Sequence, residues 1–467
     1  MKVKAIPSAW MRLDGRRLDC GPYMSGALEA KIRLEELACQ KQRLEDLTTG
    51  HDGGIYNGPQ FVRNFVDDPA HGVPFLGTAS MLRADLSELP LLSKRDAYTP
   101  KLSYLRIEPG MTLISCSGTI GRMVYARPDM EGMWSNQDIL KVVPNPNRVP
   151  PGYLYAFLSS KFGVPLVTSG TYGGIIQHIE PQHIAGLPVP RLANEIEERA
   201  HRLMEEAGRL RSDGAELIAR TVADLVNELG LAFEGVRSVS QFCVNSTAST
   251  QLNYRLDAPY HSHDAKQADA ILAASPARSA PLSDVVQRYF KPPMFKRLWV
   301  DDPAYGRQFI SGVDAYRYQA ESIRYVSNKT PKFDEFILEE GMVIFQAAGQ
   351  IYGLFGQPLL VSGWLSGLFA ADDLYRLQPN NQADGGYLYA FFKTKVGQVL
   401  LKRQACGNSI PRVWDPHIRD MRVPWPDEAV RKRLGTQIVD AHVKIERGRQ
   451  AEVEAVALVE RTIEEAP

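Results

Sequence analysis

Apolar and polar positions fall into three patterns along this chain of 467 residues. In the first, apolar residues run Leu192, Ile196, Ala200, Leu203, Ala207, Leu210, Leu217 and Leu225, with Glu and Arg between them. That three-and-four spacing predicts a long helix with a coiled-coil-like seam. Val430, Leu434, Ile438, Ala441 and Ile445 start a second such run, which loses phase near Gly448 and resumes through Val453, Val456 and Ile463. Each helix would hold about 35 residues and span roughly 50 Å. Gly208, Gly214, Gly230 and Gly448 dilute the two runs, and each interior glycine costs roughly 1 kcal/mol relative to alanine, so bent or irregular ends are expected. A narrow apolar stripe needs a partner; the economical one is the other helix, packed antiparallel.

The second pattern is shorter. GYLYAFLSSKFGVPLV (Gly152 to Val167) and GYLYAFFKTKVGQVLL (Gly386 to Leu401) carry apolar residues at helical spacing, predicting one amphipathic helix in each. Helical stretches are also expected over Ser25 to Leu47 and His261 to Ala274. The third pattern, short apolar pieces broken by Gly and Pro, predicts strands and loops. Proline-rich LPVPRL and RVPWPDE stand before the two long runs, where proline punctuates ahead of a helix.

These patterns occur twice. The hexapeptide GYLYAF at Gly152 and Gly386 recurs with a displacement of 234, as does FVRNFVDDPAHG (from Phe61) in FKRLWVDDPAYG (from Phe295). GMTLISCSGTIG (from Gly110) returns as GMVIFQAAGQIYG (from Gly341) with one extra residue before the last glycine. RLDCGPY and RLDAPYH open the copies, each with a short strand-like RLD segment, and PQHIAGLPVP and DPHIRDMRVP close them. The period is domain-sized, far beyond a solenoid unit, so the chain is a tandem duplication. The expected division is 1–190 for the first domain, 191–237 for a helical spacer, 238–425 for the second domain and 426–467 for a C-terminal helix.

Composition adds little. Lys+Arg and Asp+Glu both number 54, so local patches, not bulk charge, decide whether a polyanion binds. Five scattered cysteines without CxxC spacing (Cys20, Cys39, Cys116, Cys243, Cys406) read as free thiols in a reducing compartment. With no signal-peptide core and no apolar run long enough for a membrane span, a cytoplasmic location is expected.

Catalytic signatures are missing: no GxxxxGK[ST], no HExxH, no GxSxG. KPPM (Lys291 to Met294) lacks the Asn/Asp-Pro-Pro-aromatic pattern of an amino-methyltransferase. His183 and His417 share one local context; a base or ligand in each copy is the sharp interpretation, and a start to the closing segment is the simpler one. Ser117-Gly118-Thr119 has Ala348-Gly349-Gln350 as its counterpart, which argues against a nucleophile turn. A two-domain hydrolase and a protein-binding scaffold stand as alternatives from other classes.

Binding chemistry is better represented. The window Val286 to Lys332 holds nine Lys/Arg against four acids, interleaved with Tyr and Phe residues and Trp299; basic groups neutralise phosphates, and Arg, Asn, Gln and Ser/Thr read base edges. A solvated strand face over core aromatics is the bland account of the same window. Arg63 and Arg297 occupy equivalent positions, for a phosphate contact or an ion pair with the adjacent Asp-Asp. The apolar framework is kept between copies, while the polar loops diverge.

Two divergent repeats, each with an RLD opening, VDDPxxG, GMxxxxxxG, GYLYAF and a closing VP, each followed by a long helix, resemble the specificity subunit of a Type I restriction-modification enzyme over essentially the whole chain. The resemblance implies an α+β fold: two similar mixed α/β target-recognition domains, each followed by a long helix, the helices pairing as an antiparallel coiled coil with pseudo-twofold symmetry. It implies that each domain reads one half of a split sequence in double-stranded DNA, that the helices set the gap and dock two adenine methyltransferase subunits, and that a motor-nuclease subunit can join. The specificity subunit itself is not catalytic and carries no cofactor; S-adenosylmethionine and ATP/Mg belong to the partners. A methylation-only or fused-nuclease system is the nearest alternative. DNA contacts are expected in the first domain at Arg63, Arg83, Lys101, Ser117, Thr119 and Arg122, and at Thr171, Tyr172 and Gln177. In the second they are expected at Lys291, Lys296, Arg297 and Arg307, and at Gln350, Asn408 and Arg412. The seam residues Leu192, Ile196, Leu203, Leu210 and Leu217, with Leu434, Ile438 and Ile445, are the expected partner-binding positions.

Overall fold

The protein is described by a computed structural model covering residues 3–8, 10, 21–169, 178–234, 244, 246–252, 255–320, 323–407 and 409–466. Its chain divides into two compact units, Met1–Ser212 with Arg447–Pro467, and Asp213–Glu446. Each contains one repeat and a segment of both long helices.

In the first unit, a four-stranded antiparallel sheet has the spatial order Ile55–Tyr56, Ile139–Val142, Thr112–Ser115, Met123–Tyr125. A second sheet runs Phe65–Val66, Leu91–Ser93, Gly72–Leu76, Trp134–Ser135, its last pair parallel. A two-stranded ribbon joins Lys41–Arg43 to Pro188–Pro190. The second unit repeats all three. Its first sheet has the order Val286–Phe290, Leu374–Pro379, Val343–Gln346, Pro358–Leu360. Its second sheet has the order Trp299–Val300, Tyr325–Ser327, Gly306–Ile310, Phe369–Ala370, again with a parallel last pair. Ser279–Pro281 pairs with Arg422–Pro424 in the ribbon.

The first sheet of each unit is buried on both faces, as strand alternation allows. Ile114 and Leu140 join the core around Tyr153 to Leu158, while Leu113 and Ile139 face a separate core with Leu76 and Met81.

The hexapeptide GYLYAF explains its own recurrence. The Tyr153 hydroxyl donates to the Pro190 carbonyl, and that of Tyr387 to the Pro424 carbonyl at 2.7 Å, so each ties its helix to the closing strand. Phe157 and Phe391 are wholly buried, worth about 1.5–3 kcal/mol apiece. The leading glycine meets a long helix. A Cβ on Gly386 would lie 2.3 Å from the Gly435 carbonyl oxygen, and one on Gly152 would lie 2.9 Å from the His201 Cα.

Several sequence expectations change. Each GYLYAF segment is two helices, Pro151–Leu158 and Gly163–Ser169, then Gln382–Lys393 and Lys395–Lys402. The break is chemical: Ser160 Oγ accepts from Gly163 N at 3.1 Å, and Thr394 Oγ1 from Gly397 N at 3.0 Å. Both hydroxyls also donate back to a carbonyl, of Phe157 and Phe391. The stretch from Ser25 is α-helical only over Ala27–Glu36, with a 3-10 turn at Leu44–Leu47, because Lys41–Arg43 between them pairs with the closing strand. The second RLD takes no place in a sheet. Arg255 instead donates to Asp257 Oδ1 at 2.6 Å and to the Ala405 carbonyl at 2.7 Å. Arg17 to Cys20 lie outside the described residues.

The long helices, Asn194–Glu228 and Glu428–Glu465, are unbroken. Gly448 marks close approach instead of a phase break: a Cβ there would lie 2.9 Å from the Ala207 carbonyl oxygen. Gly230 lies beyond the first helix with φ +64, the left-handed conformation that closes helices. The helix segments run antiparallel within each unit. In the first, Arg199 meets Glu454 at 3.0 Å while Ala207 faces Gly448. In the second, Thr221 meets Gln437 at 3.4 Å and Glu228 pairs with Arg433. Leu192, Ile196 and Leu203 pack on the first core, and Leu434 and Ile438 are buried in the second. Leu210 is buried, Leu217 is half-buried, and half-buried Ile445 packs toward Gly214. The chain thus covers most of its own seam.

Candidate nucleic-acid interface

At one end of each first sheet, a hairpin turn meets the segment that leads toward the closing strand. In the first unit this turn is 115–122. Ser115 Oγ donates to the Thr119 carbonyl at 2.5 Å and accepts from Arg122 N at 2.9 Å, folding the turn back on its strand. Ser117 pairs as a bridge with His178. Gly118 and Thr119 are exposed, and Ile120 packs against the core. In the second unit, Ala348 bridges to Arg412, Gly349 N donates to the Pro411 carbonyl at 3.1 Å, and Gln350 Nε2 reaches the Ser409 carbonyl at 3.5 Å. The structure therefore brings Gln350 and Arg412 together, as it does Ser117, Thr119 and Arg122. Thr171, Tyr172, Gln177 and Asn408 lie outside the described residues.

A shared carbonyl anchors the base of both turns. Cys116 N donates to the Asp138 carbonyl at 3.0 Å, and Ala347 N to the Asp373 carbonyl at 2.8 Å. Around them the side chains differ. Gln137 Nε2 donates to Asp138 Oδ2 at 3.0 Å in the first unit, whereas Gln346 Nε2 donates to Asp373 Oδ2 at 2.8 Å in the second. These aspartates and Gln346 escaped the sequence search. Their signal was QDIL against DDLY, one shared acid in a segment otherwise dissimilar.

Arg63 donates to Gln137 Oε1 at 3.0 Å, which links it to the same edge, and its guanidinium lies 5.7 Å from the Phe75 ring centre. Arg297 lies 5.4 Å over the equivalent ring, Phe309. The two arginines thus keep equivalent aromatic seats, and both are exposed. The neighbouring acids are engaged in turns: Asp68 Oδ1 accepts from Ala70 N at 2.9 Å, and Asp302 Oδ1 from Ala304 N at 2.8 Å. Arg288 sits 3.9 Å over Phe290 and Arg324 3.6 Å over Trp299, so much of the basic, aromatic window is an exposed cation–π surface. Lys296 and Arg307 are exposed on it, Lys291 is half-buried, and in the first unit Lys101 is exposed and Arg83 half-buried.

Behind each edge lies a buried cation that sequence pattern did not single out. Lys141 Nζ donates to the Ile139 carbonyl at 3.1 Å. Arg376, at the equivalent place, donates to the carbonyls of Leu374, Ala370 and Ala371. Burial pushes Lys141 down to about 7 and Arg376 to about 9, as desolvation disfavours the charged form.

The paired histidines do unlike, structural jobs. His183 Nδ1 accepts from Glu180 N at 3.0 Å and closes a capping box. His417 Nδ1 lies 3.5 Å from Cys406 Sγ and 3.4 Å from Arg255 Nη1. Burial raises the Cys406 thiol, while burial and Arg255 lower His417, the reverse of the thiolate–imidazolium polarity a nucleophile needs. Cys39, Cys116 and Cys406 are free thiols, and Cys20 and Cys243 lie outside the described residues. Among the described residues no His/Cys/Asp/Glu group has metal-holding geometry, and no helix is long and apolar enough to cross a membrane.

No family model and no curated protein matches this chain. Several solved structures are similar to it. One is the S subunit of a Type-I restriction-modification system from M. genitalium, with 11% identity, 92% of this chain and 96% of that one covered, and a TM-score of 0.39. A second is an HsdS subunit from Thermoanaerobacter tengcongensis, with 12% identity, coverage of 92% and 97%, and a TM-score of 0.27. A third belongs to a structure on complex assembly of the type I R-M system, with 12% identity, coverage of 91% and 97%, and a TM-score of 0.29.

Proposed function

We propose that this chain is the sequence-specific DNA-recognition subunit of a Type I restriction-modification complex, each repeat contacting one half of a bipartite target. One observation carries the proposal. The two units share strand order, anchoring carbonyls and aromatic seats for Arg63 and Arg297, yet carry different side chains at the hairpin turns, half-buried Ser117 and exposed Thr119 against half-buried Ala348 and exposed Gln350. A constant scaffold with divergent polar edges suits two reading heads for two half-sites.

In this account the exposed arginines and lysines contact phosphates and set register, and turn residues such as Ser117, Thr119, Gln350 and Arg412 contact base edges. The long helices set the gap and offer their exposed faces to methyltransferase subunits. The chain itself is non-catalytic. S-adenosylmethionine and ATP/Mg act on partner subunits, to which a motor-nuclease subunit can be added.

The test is single-molecule sequencing for modified adenines in cells expressing this chain with a cognate methyltransferase subunit. The expected result is a split motif, two short defined halves around a fixed gap. A stable complex that leaves no bipartite motif overturns the proposal.

A further inference from the structure

The two hairpins differ in more than side-chain identity. In the first unit the last paired residues are Ile114 and Met123, which leaves residues 115–122 between them. In the second they are Phe345 and Pro358, which leaves residues 346–357. The turn thus grows from eight residues to twelve. Tyr352, the extra residue of the second glycine-bounded motif, stands in this longer turn and is 100% exposed.

Complete exposure of an aromatic ring forgoes the burial that tyrosine ordinarily supplies. The backbone beneath it is nonetheless held: Gly353 N donates to the Gln350 carbonyl at 2.9 Å, Gly356 N to the Gln346 carbonyl at 3.0 Å, and Gly349 N to the Pro411 carbonyl. Arg412, which bridges to Ala348, is exposed beside the turn, and Ile410 is 57% exposed on the same segment. Neither 346–357 nor 404–414 contains an Asp or Glu, and the carboxylate at the base of the turn, Asp373, is half-buried and accepts from Gln346 Nε2 at 2.8 Å. A flat ring on an anchored turn, beside a cation and with no acid in either segment, has the chemistry of a surface that stacks on a base unstacked from the duplex.

We propose that Tyr352 stacks on a base of bound DNA and confers on the second reading head a contact that the first lacks. The inference rests on the recognition role proposed above. The first head has no counterpart: Ile120 and Ile351 both pack against their cores, and the first turn passes from Ile120 directly to Gly121 where the second inserts Tyr352.

The test uses the full chain assembled with its methyltransferase subunits and a duplex carrying the motif found by methylation sequencing. Tyr352→Ala and Tyr352→Leu are expected to weaken binding by roughly ten- to a hundred-fold. Tyr352→Phe, which keeps the ring, should stay within about twofold. Duplexes altered in one half only should show the lost discrimination in the half assigned to the second domain. Unchanged affinity in Tyr352→Ala, or an equal loss in Tyr352→Phe, overturns the stacking role. A clear bipartite motif with unaffected Tyr352→Ala binding refutes this inference alone, whereas the absence of any motif refutes the recognition role beneath it.

Discussion

The two units secure the helix that carries GYLYAF against the long helices by different means. In the first, a buried polar network holds it: the Tyr155 hydroxyl donates to Glu452 Oε1 at 2.6 Å, and Arg211 Nη1 to Oε2 at 3.3 Å. In the second, backbones touch: a Cβ on Gly435 would lie 1.8 Å from the Ala383 carbonyl oxygen. There the tyrosine equivalent to Tyr155, Tyr389, packs edge-on against His442 at 5.0 Å. Arginine–carboxylate pairs also secure the start of each long helix, in mirrored roles. Arg191 from the preceding loop grips Glu197 on the central helix, at 3.0 and 2.8 Å, whereas Arg431 on the C-terminal helix grips Asp384 at 2.9 Å. Both units keep the close glycine approach to the long helix that follows, and the first adds a directional, charged network around Glu452. Duplicated domains keep the geometry their function needs and are free to change the interaction that supplies it.

Removing one partner from the polar joint has the largest expected effect. Glu452→Ala removes the buried carboxylate that Tyr155 and Arg211 share and should destabilise the chain by about 3–5 kcal/mol, measured by urea unfolding. A loss under about 1 kcal/mol would mean the network contributes little beyond packing. The steric joint should fail more gently. Gly435→Ala inserts a methyl group where backbone already sits, with an expected penalty of about 1–3 kcal/mol from overpacking. A neutral result would show that the helices separate at little cost, and the contrast between joints would collapse.

The buried cations give the smallest and most specific difference. An unfolded lysine titrates near 10.4, while Lys141 in the fold titrates at about 7. Between those values the unfolded chain holds a proton the folded chain lacks, so this residue makes stability rise with pH across about 7 to 10. Lys141→Met should remove that slope and gain on the order of 1 kcal/mol at neutral pH. Arg376, lowered only to about 9, should leave the slope below pH 9 unchanged when replaced by Met. Identical pH profiles for the two variants would contradict the assignment.

The duplication and both long helices were legible because they rest on periodicity, which needs no knowledge of neighbours. What pattern alone misjudged were residues whose meaning lies across the fold. Gly448 looked like a helix defect and is a contact with Ala207; Gly435 drew no attention and makes the tightest approach of all. The break between the paired helices at Ser160 and Thr394 depends on hydroxyls capping the next helix, which apolar spacing does not register. Arg63 and Arg297 were matched correctly by position, but their seats on Phe75 and Phe309 come from strands that only the fold brings near. Lys141 and Arg376 were invisible, since a basic residue in a strand ordinarily points to water.

The central claim is that each divergent edge reads its own half-site. Its most direct test is methylation sequencing of cells carrying either the native chain or Gln350→Ala with Arg412→Ala, both expressed with the methyltransferase subunit. The account predicts that the half-motif read by the first domain and the gap stay fixed, while the other half relaxes or changes. Equal degradation of both halves, or an unaltered motif, would contradict it.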